Sequence, residues 1–122
     1  MSKVSVLLVD DEPDILETLQ LILEQKGYLV DIVDNGASAY NMIMEKVYDV
    51  VISDLKMPEI DGIMLLKKVR AAQNLTKFIF FSGHADEKHA KEMIALGASR
   101  LISKAEIMKV PLALETTLLE KV

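Results

Sequence analysis

The chain contains no cysteine. Disulfides and thiolate chemistry are therefore excluded, and a reducing compartment is compatible with the composition. No long hydrophobic run opens the chain: in "MSKVSVLLVDDEPD" (1–14) a short apolar stretch meets two acids, too soon for a signal peptide or a membrane span. Positive charge is in deficit, with 14 Lys and Arg against 19 Asp and Glu and a formal net charge of -5. That weighs against nucleic acid as a direct partner, because phosphate backbones select for Lys and Arg. There is no Gly/Ser- or Pro-rich linker, no low-complexity tract and no repeat at a solenoid period. The expectation is a soluble cytoplasmic protein without membrane insertion. Its 122 residues favour one domain, 1–122. The initiator methionine favours an intact N-terminus, and a chain ending at 122 would leave no room for a DNA-binding or enzymatic output domain.

What is present is apolar and alternating. Half the residues are hydrophobic, and a chain of this length buries roughly two-thirds of its unfolded surface. Short, β-branched-rich runs read as strands: "VSVLLV" (4–9), "YLVDIV" (28–33), "DVVIS" (49–53), "KFIFFS" (77–82) and "SRLIS" (99–103). Three are almost continuously apolar, as in strands covered on both faces. Between them lie helical patterns. From Asp11 to Lys26, Ile15, Leu19, Ile22 and Leu23 share a stripe, with Pro13 suited to the first turn and Gly27 to the C-terminal cap. From Asp86 to Leu96, Ala90, Met93, Ile94 and Gly97 repeat the pattern, and weaker helices fit 36–46 and 62–72. Pro111 would break any helix begun near Ala105, at about 3 kcal/mol. A turn or kink over 105–110 and a helix from about Pro111 to Glu120 are therefore expected. Five β-α repeats predict an α/β fold: a doubly wound parallel sheet with helices on both faces.

In such sheets functional groups collect at the carboxyl ends of the strands. The first strand ends in Asp10-Asp11-Glu12, the third in Asp54, the fourth in Ser82-Gly83 and the fifth in Lys104; the second ends in Asp34-Asn35-Gly36, a turn and helix cap. Taken singly each has an ordinary reading. Acids at a helix start favour the positive end of the macrodipole, a lysine is usually solvated, and a serine often caps a loop. Taken together they place carboxylates, a hydroxyl and an ammonium around one crevice. Clustered acids repel, and Mg²⁺ relieves this by taking one or two carboxylates together with waters and phosphate oxygens. Lysine supplies a point charge and serine a donor for a phosphoryl oxygen. The set suits Mg²⁺ and a phosphoryl group held at one carboxylate, Asp54, acting as nucleophile.

Four stretches carry a resemblance: "VLLVDDEPDI" (6–15), "DVVISDLKMPEIDG" (49–62), "IFFSGHAD" (79–86) and "LGASRLISKA" (96–105). Over 3–121 the chain resembles a receiver domain of bacterial two-component response regulators, of the stand-alone, chemotaxis-regulator-like kind. The resemblance implies a flavodoxin-like (βα)5 sheet of strand order 2-1-3-4-5. It implies that Asp54 accepts phosphoryl from a histidine kinase. Asp11 and Asp54 would ligate Mg²⁺ directly, Asp10 mainly through water, and the Lys56 backbone carbonyl would complete the protein ligands. Lys104 would neutralise the phosphoryl group, and Ser82 would move toward it. Lys56 and His84, each two residues beyond a site residue, would tune phosphoryl lifetime. The output would be phosphorylation-dependent binding to a protein target that the sequence does not name.

Two positions depart from the family pattern. Leu101 stands where an aromatic is common, so the usual ring movement on the output side has no ring. Ala105 follows Lys104 where proline with a cis peptide is common. A cis bond before a non-proline residue costs roughly 3 kcal/mol, so the link is either trans or strained. These departures favour one rival, a phosphorylation-independent interaction module on the same fold. A second rival is a Mg²⁺-dependent aspartyl phosphatase. That chemistry usually wants an acid two residues beyond the nucleophile, where this chain has Lys56. His89 falls on a helix face expected to be exposed, and the seven methionines fit apolar helix faces.

Overall fold

In the computed structural model, which describes residues 3–83 and 87–120 (backbone only for 87–89), every one of the strand-like runs forms a strand. β1 (Ser5–Val9), β2 (Leu29–Val33), β3 (Val50–Ser53), β4 (Lys77–Ser82) and β5 (Arg100–Ser103) pair in parallel in the order 2-1-3-4-5. The helices between and after them are α1 (Pro13–Gln25), α2 (Gly36–Glu45), α3 (Gly62–Ala71), α4 (Glu87–Ala95) and α5 (Val110–Leu119). The continuous apolar runs now have their physical reason. Alternate strand residues point to opposite faces. Leu7, Val9, Val51, Phe78 and Phe80 pack toward α2, α3 and α4, while Val6, Leu8, Val50, Ile52, Ile79 and Phe81 pack toward α1 and α5. Each large side chain buried this way contributes about 2 kcal/mol.

The helix stripes differ in detail from the sequence pattern. In α1 the buried line is Leu16, Leu19 and Leu23, with Ile15 and Ile22 half-buried beside it. In α4 Met93 is buried and Ile94 is exposed. Adjacent helical residues lie about 100° apart, so both cannot occupy the centre of one face. Helix starts follow local chemistry. The side chains of Asn35 and Asp61 accept from the amides of Ser38 and Met64 at 2.8 Å, capping α2 and α3 at about 1 kcal/mol each. Gly27 takes φ +95° after α1, a conformation open to glycine.

The connection after β5 is a 3₁₀ turn, Lys104–Lys109, with the expected kink inside it. The Ser103 hydroxyl accepts from the Ala105 amide at 3.2 Å, and Glu106 (φ -113°, ψ 39°) marks the kink. α5 then begins with Pro111 in its first turn, where the missing N–H has no helical partner to lose. The Lys104–Ala105 peptide is trans, as the energetics of a non-proline bond favour.

Three cations tie loops and termini to this frame. Arg70, at the end of α3, donates Nη1 to the carbonyls of Asn74 and Thr76 at 2.9 Å each, and Nε and Nη2 to those of Leu96 and Gly97 at 3.3 Å. Lys77 Nζ caps the end of α5 through the carbonyls of Thr117 (3.0 Å), Leu118 (3.4 Å) and Glu120. Arg100 bonds the Thr117 hydroxyl at 3.0 Å and pairs with Glu120. On the edge strand β2, Asp31 accepts from the Tyr48 hydroxyl at 2.6 Å and from Lys46 Nζ at 2.9 Å. A charged side chain on an edge strand also discourages pairing with another chain.

Candidate functional site

β1 and β3 are adjacent, with Val9 opposite Ser53, so Asp10 and Asp54 leave the sheet side by side at its carboxyl edge. Both are buried, at 3% and 5% exposure. β5 lies beyond β4, yet Lys104, the residue that follows it, reaches back across. Its ammonium lies 2.8 Å from Asp54 Oδ2, 2.9 Å from Asp10 Oδ2 and 2.7 Å from Glu12 Oε1. A lone buried carboxylate would carry a desolvation penalty of several kcal/mol; here one cation offsets two. Burial raises the Asp10 carboxyl above its ordinary value, against the hydrogen bonds from Lys104 and from the Glu12 amide (2.9 Å to Oδ1). Burial alone would lower the Lys104 ammonium, but hydrogen bonds to Asp54, Glu12 and Asp10 outweigh it and raise it. The lysine is therefore a permanent cation at this site.

The backbone around Asp54 is held from three sides. Its amide donates to Val9 O at 2.9 Å, the Ser53 hydroxyl donates to its carbonyl at 2.9 Å, and the Lys56 amide lies 3.4 Å from its Oδ1. Gly62 packs against the same carbonyl: a Cβ there would sit 2.2 Å from Asp54 O and 2.7 Å from the Phe80 ring. The glycine of the Asp-Gly pair thus lets the start of α3 close onto the strand end. Beside Asp54 a cleft of about 450 Å³ opens, bordered by Asp11, Lys56, Pro58 and Asp61.

One carboxylate oxygen from each of Asp10, Asp11, Glu12 and Asp54 lies within 4.8 Å of the others. With Glu12 turned to Lys104, the hard oxygen donors of Asp10, Asp11 and Asp54 are chemically suited to a divalent cation such as Mg²⁺. The fold thus brings together Asp10, Asp11, Asp54 and Lys104, with Lys56 bordering the adjoining cleft. Ser82 is buried at the end of β4, opposite Ser103 of β5. Leu101 is half-buried and packs on the α2–α4 side of the sheet. Ala105 sits in the first turn after Lys104. His84 lies outside the described residues, as does the side chain of His89. Sequence reading gave Glu12 no role in the site, since an acid before Pro13 reads as a helix start. Its side chain makes no cap bond to α1 and turns to Lys104 instead.

The model of the response regulator receiver domain matches residues 6–111. The chain belongs to the response regulator receiver domain family. Among curated relatives, this receiver is 37% identical over 102 residues to YesN of Bacillus subtilis (strain 168), an uncharacterized transcriptional regulatory protein, covering 81% of this chain and 28% of YesN. It is 34% identical over 99 residues to the transcriptional regulatory protein DltR of Streptococcus agalactiae, covering 81% of this chain and 44% of DltR. The receiver therefore spans less than half the length of these two regulators. Among solved structures it is similar to the Vibrio cholerae chemotaxis protein CheY4, with a TM-score of 0.89 at 25% identity over 95% of this chain and 99% of that one. A CheY-like receiver domain protein from Methanospirillum hungatei JF-1 gives a TM-score of 0.90 at 26% identity, over 96% and 94% of the two chains. No helix among the described residues is long and apolar enough to cross a membrane.

Proposed function

We propose that this receiver is a cytoplasmic phosphoacceptor, taking a phosphoryl group from a histidine kinase onto Asp54 and signalling by phosphorylation-dependent protein binding. The observation that supports it most directly is the Lys104 ammonium held between two buried strand-end carboxylates, 2.8 Å from Asp54 and 2.9 Å from Asp10. In the transfer, an Asp54 carboxylate oxygen attacks phosphorus as the bond to the donor imidazole nitrogen breaks. The electron pair stays on that nitrogen, and the product is an acyl phosphate. Lys104 neutralises charge on the phosphoryl oxygens, and the fixed backbone of Asp54 keeps the nucleophile in line. Asp10, Asp11, Asp54 and the Lys56 carbonyl would hold Mg²⁺, which supplies further charge neutralisation when bound. Ser82, at the end of the neighbouring strand, would donate its hydroxyl to the phosphoryl group. Lys56 and His84 would set how long the acyl phosphate survives. Beyond self-directed transfer and hydrolysis, no enzymatic turnover is proposed.

Incubation with acetyl phosphate and Mg²⁺ tests this. Intact-mass measurement should show a gain of one phosphoryl group in the wild type and none in Asp54→Ala. No gain in the wild type, or an equal gain in the variant, refutes the reading. The first of those results favours the phosphorylation-independent module for which Leu101 and Ala105 speak.

A further inference from the structure

The Lys104 ammonium faces three carboxylates: it donates to Asp54 and Glu12 and lies 2.9 Å from Asp10 Oδ2. Two of the three, Asp10 and Asp54, are buried; the third is not. The Glu12 side chain is 60% exposed while that of Lys104 is only 12% exposed, so Glu12 closes over the lysine from the solvent side. Its contact is the shortest of the three, at 2.7 Å, and joins residues 92 positions apart. Glu12 occupies the N-cap position of α1, where a side chain ordinarily bonds the helix amides, yet it makes no such bond.

Resting on the phosphoacceptor reading, we propose that Glu12 is a displaceable counter-ion for Lys104, a positioning residue that keeps the solvent-side N–H of the lysine occupied until a phosphoryl oxygen takes it. An incoming phosphoryl oxygen needs a place at the Lys104 ammonium, and Asp54, Asp10 and Glu12 surround it. Releasing Asp10 or Asp54 would leave a buried charge without its partner, which is strongly unfavourable. Releasing Glu12 returns a carboxylate to water at small cost, since exposed ion pairs are worth little. Glu12 is therefore the contact that yields. Until it does, its negative charge lies in the path of an anionic donor. Glu12 acts on donor capture, while Asp54 and Lys104 act on transfer.

The test compares wild type with Glu12→Gln, using acetyl phosphate as the probe at fixed Mg²⁺. The variant should reach half-maximal phosphorylation rate at an acetyl phosphate concentration about five-fold lower, the size expected of one unit charge a few ångströms away in a water-facing site. The maximal rate should stay the same, and the gap should close in high salt. Mg²⁺ affinity, titrated without donor, should change by less than about two-fold, because Glu12 is assigned to the lysine. In metal-free protein the ¹⁵N signal of the Lys104 ammonium should exchange with water faster in the variant. An unchanged or slower uptake overturns the inference, as does a roughly ten-fold loss of Mg²⁺ affinity, which would make Glu12 a cation ligand. If the wild type takes up phosphoryl and the variant matches it, only this inference falls. If the wild type takes up none, the phosphoacceptor reading falls with it.

Discussion

Without the Lys104 ammonium, Asp10 and Asp54 would face each other with almost no water and no counter-charge. Lys104→Met should therefore lower stability by about 3 kcal/mol in metal-free buffer, measured by urea unfolding. Excess Mg²⁺ should recover part of that loss by supplying the missing positive charge. A loss below about 1 kcal/mol would mean the two acids are not held as charged neighbours. Gly62 acts by space instead. Its α-hydrogen points where a methyl group would overlap the Asp54 carbonyl, so Gly62→Ala should cost about 3 kcal/mol and slow acyl phosphate formation by shifting the nucleophile. Gly83, with open space at its Cβ position, is the control: alanine there should change the melting temperature little.

The edge strand β2 and the β5–α5 connection make their own predictions. Hydrogen bonds from Tyr48 and then Lys46 hold the Asp31 carboxyl below its ordinary range. A lowered folded value means the contribution is complete above the unfolded carboxylate value, near 4, and drains away as pH falls through the folded one. Asp31→Asn should cost about 1 kcal/mol at neutral pH, a discounted figure because the side chain is 39% exposed. The deficit should close in acid, and a constant deficit across the titration would rule out the ionic origin. At the other edge, Leu101 has no ring to swing and the 3₁₀ turn is fastened by Ser103. Phosphorylation should therefore shift the backbone NMR signals of 98–110 less than in a receiver with an aromatic there. Large shifts throughout that segment would show that leucine transmits as well as a ring does.

For the molecule as a whole, a cation that binds the folded acids and not the unfolded chain must raise stability, by about 2.7 kcal/mol at a hundred times its dissociation constant. The melting temperature should climb with Mg²⁺ and climb far less in Asp11→Asn. The parallel α/β fold and the grouping of Asp10, Asp11, Asp54 and Lys104 were legible in the sequence, because strands buried on both faces write unbroken apolar runs and their last residues share one edge; the strand order came only with the resemblance to receiver domains. The bond between Glu12 and Lys104 was not, since nothing in either residue type marks a partner 92 positions away. Nor were the cation contacts to main-chain carbonyls, which carry no side-chain signature on the accepting side. The Arg70 guanidinium has a consequence of that hidden kind. By gripping Leu96 and Gly97, just past α4, it bolts one end of that rod to α3 and to the loop before β4. One guanidinium thus makes the tail of α4 the anchored end of that helix, fastened at once to a neighbouring helix and to the approach of a central strand.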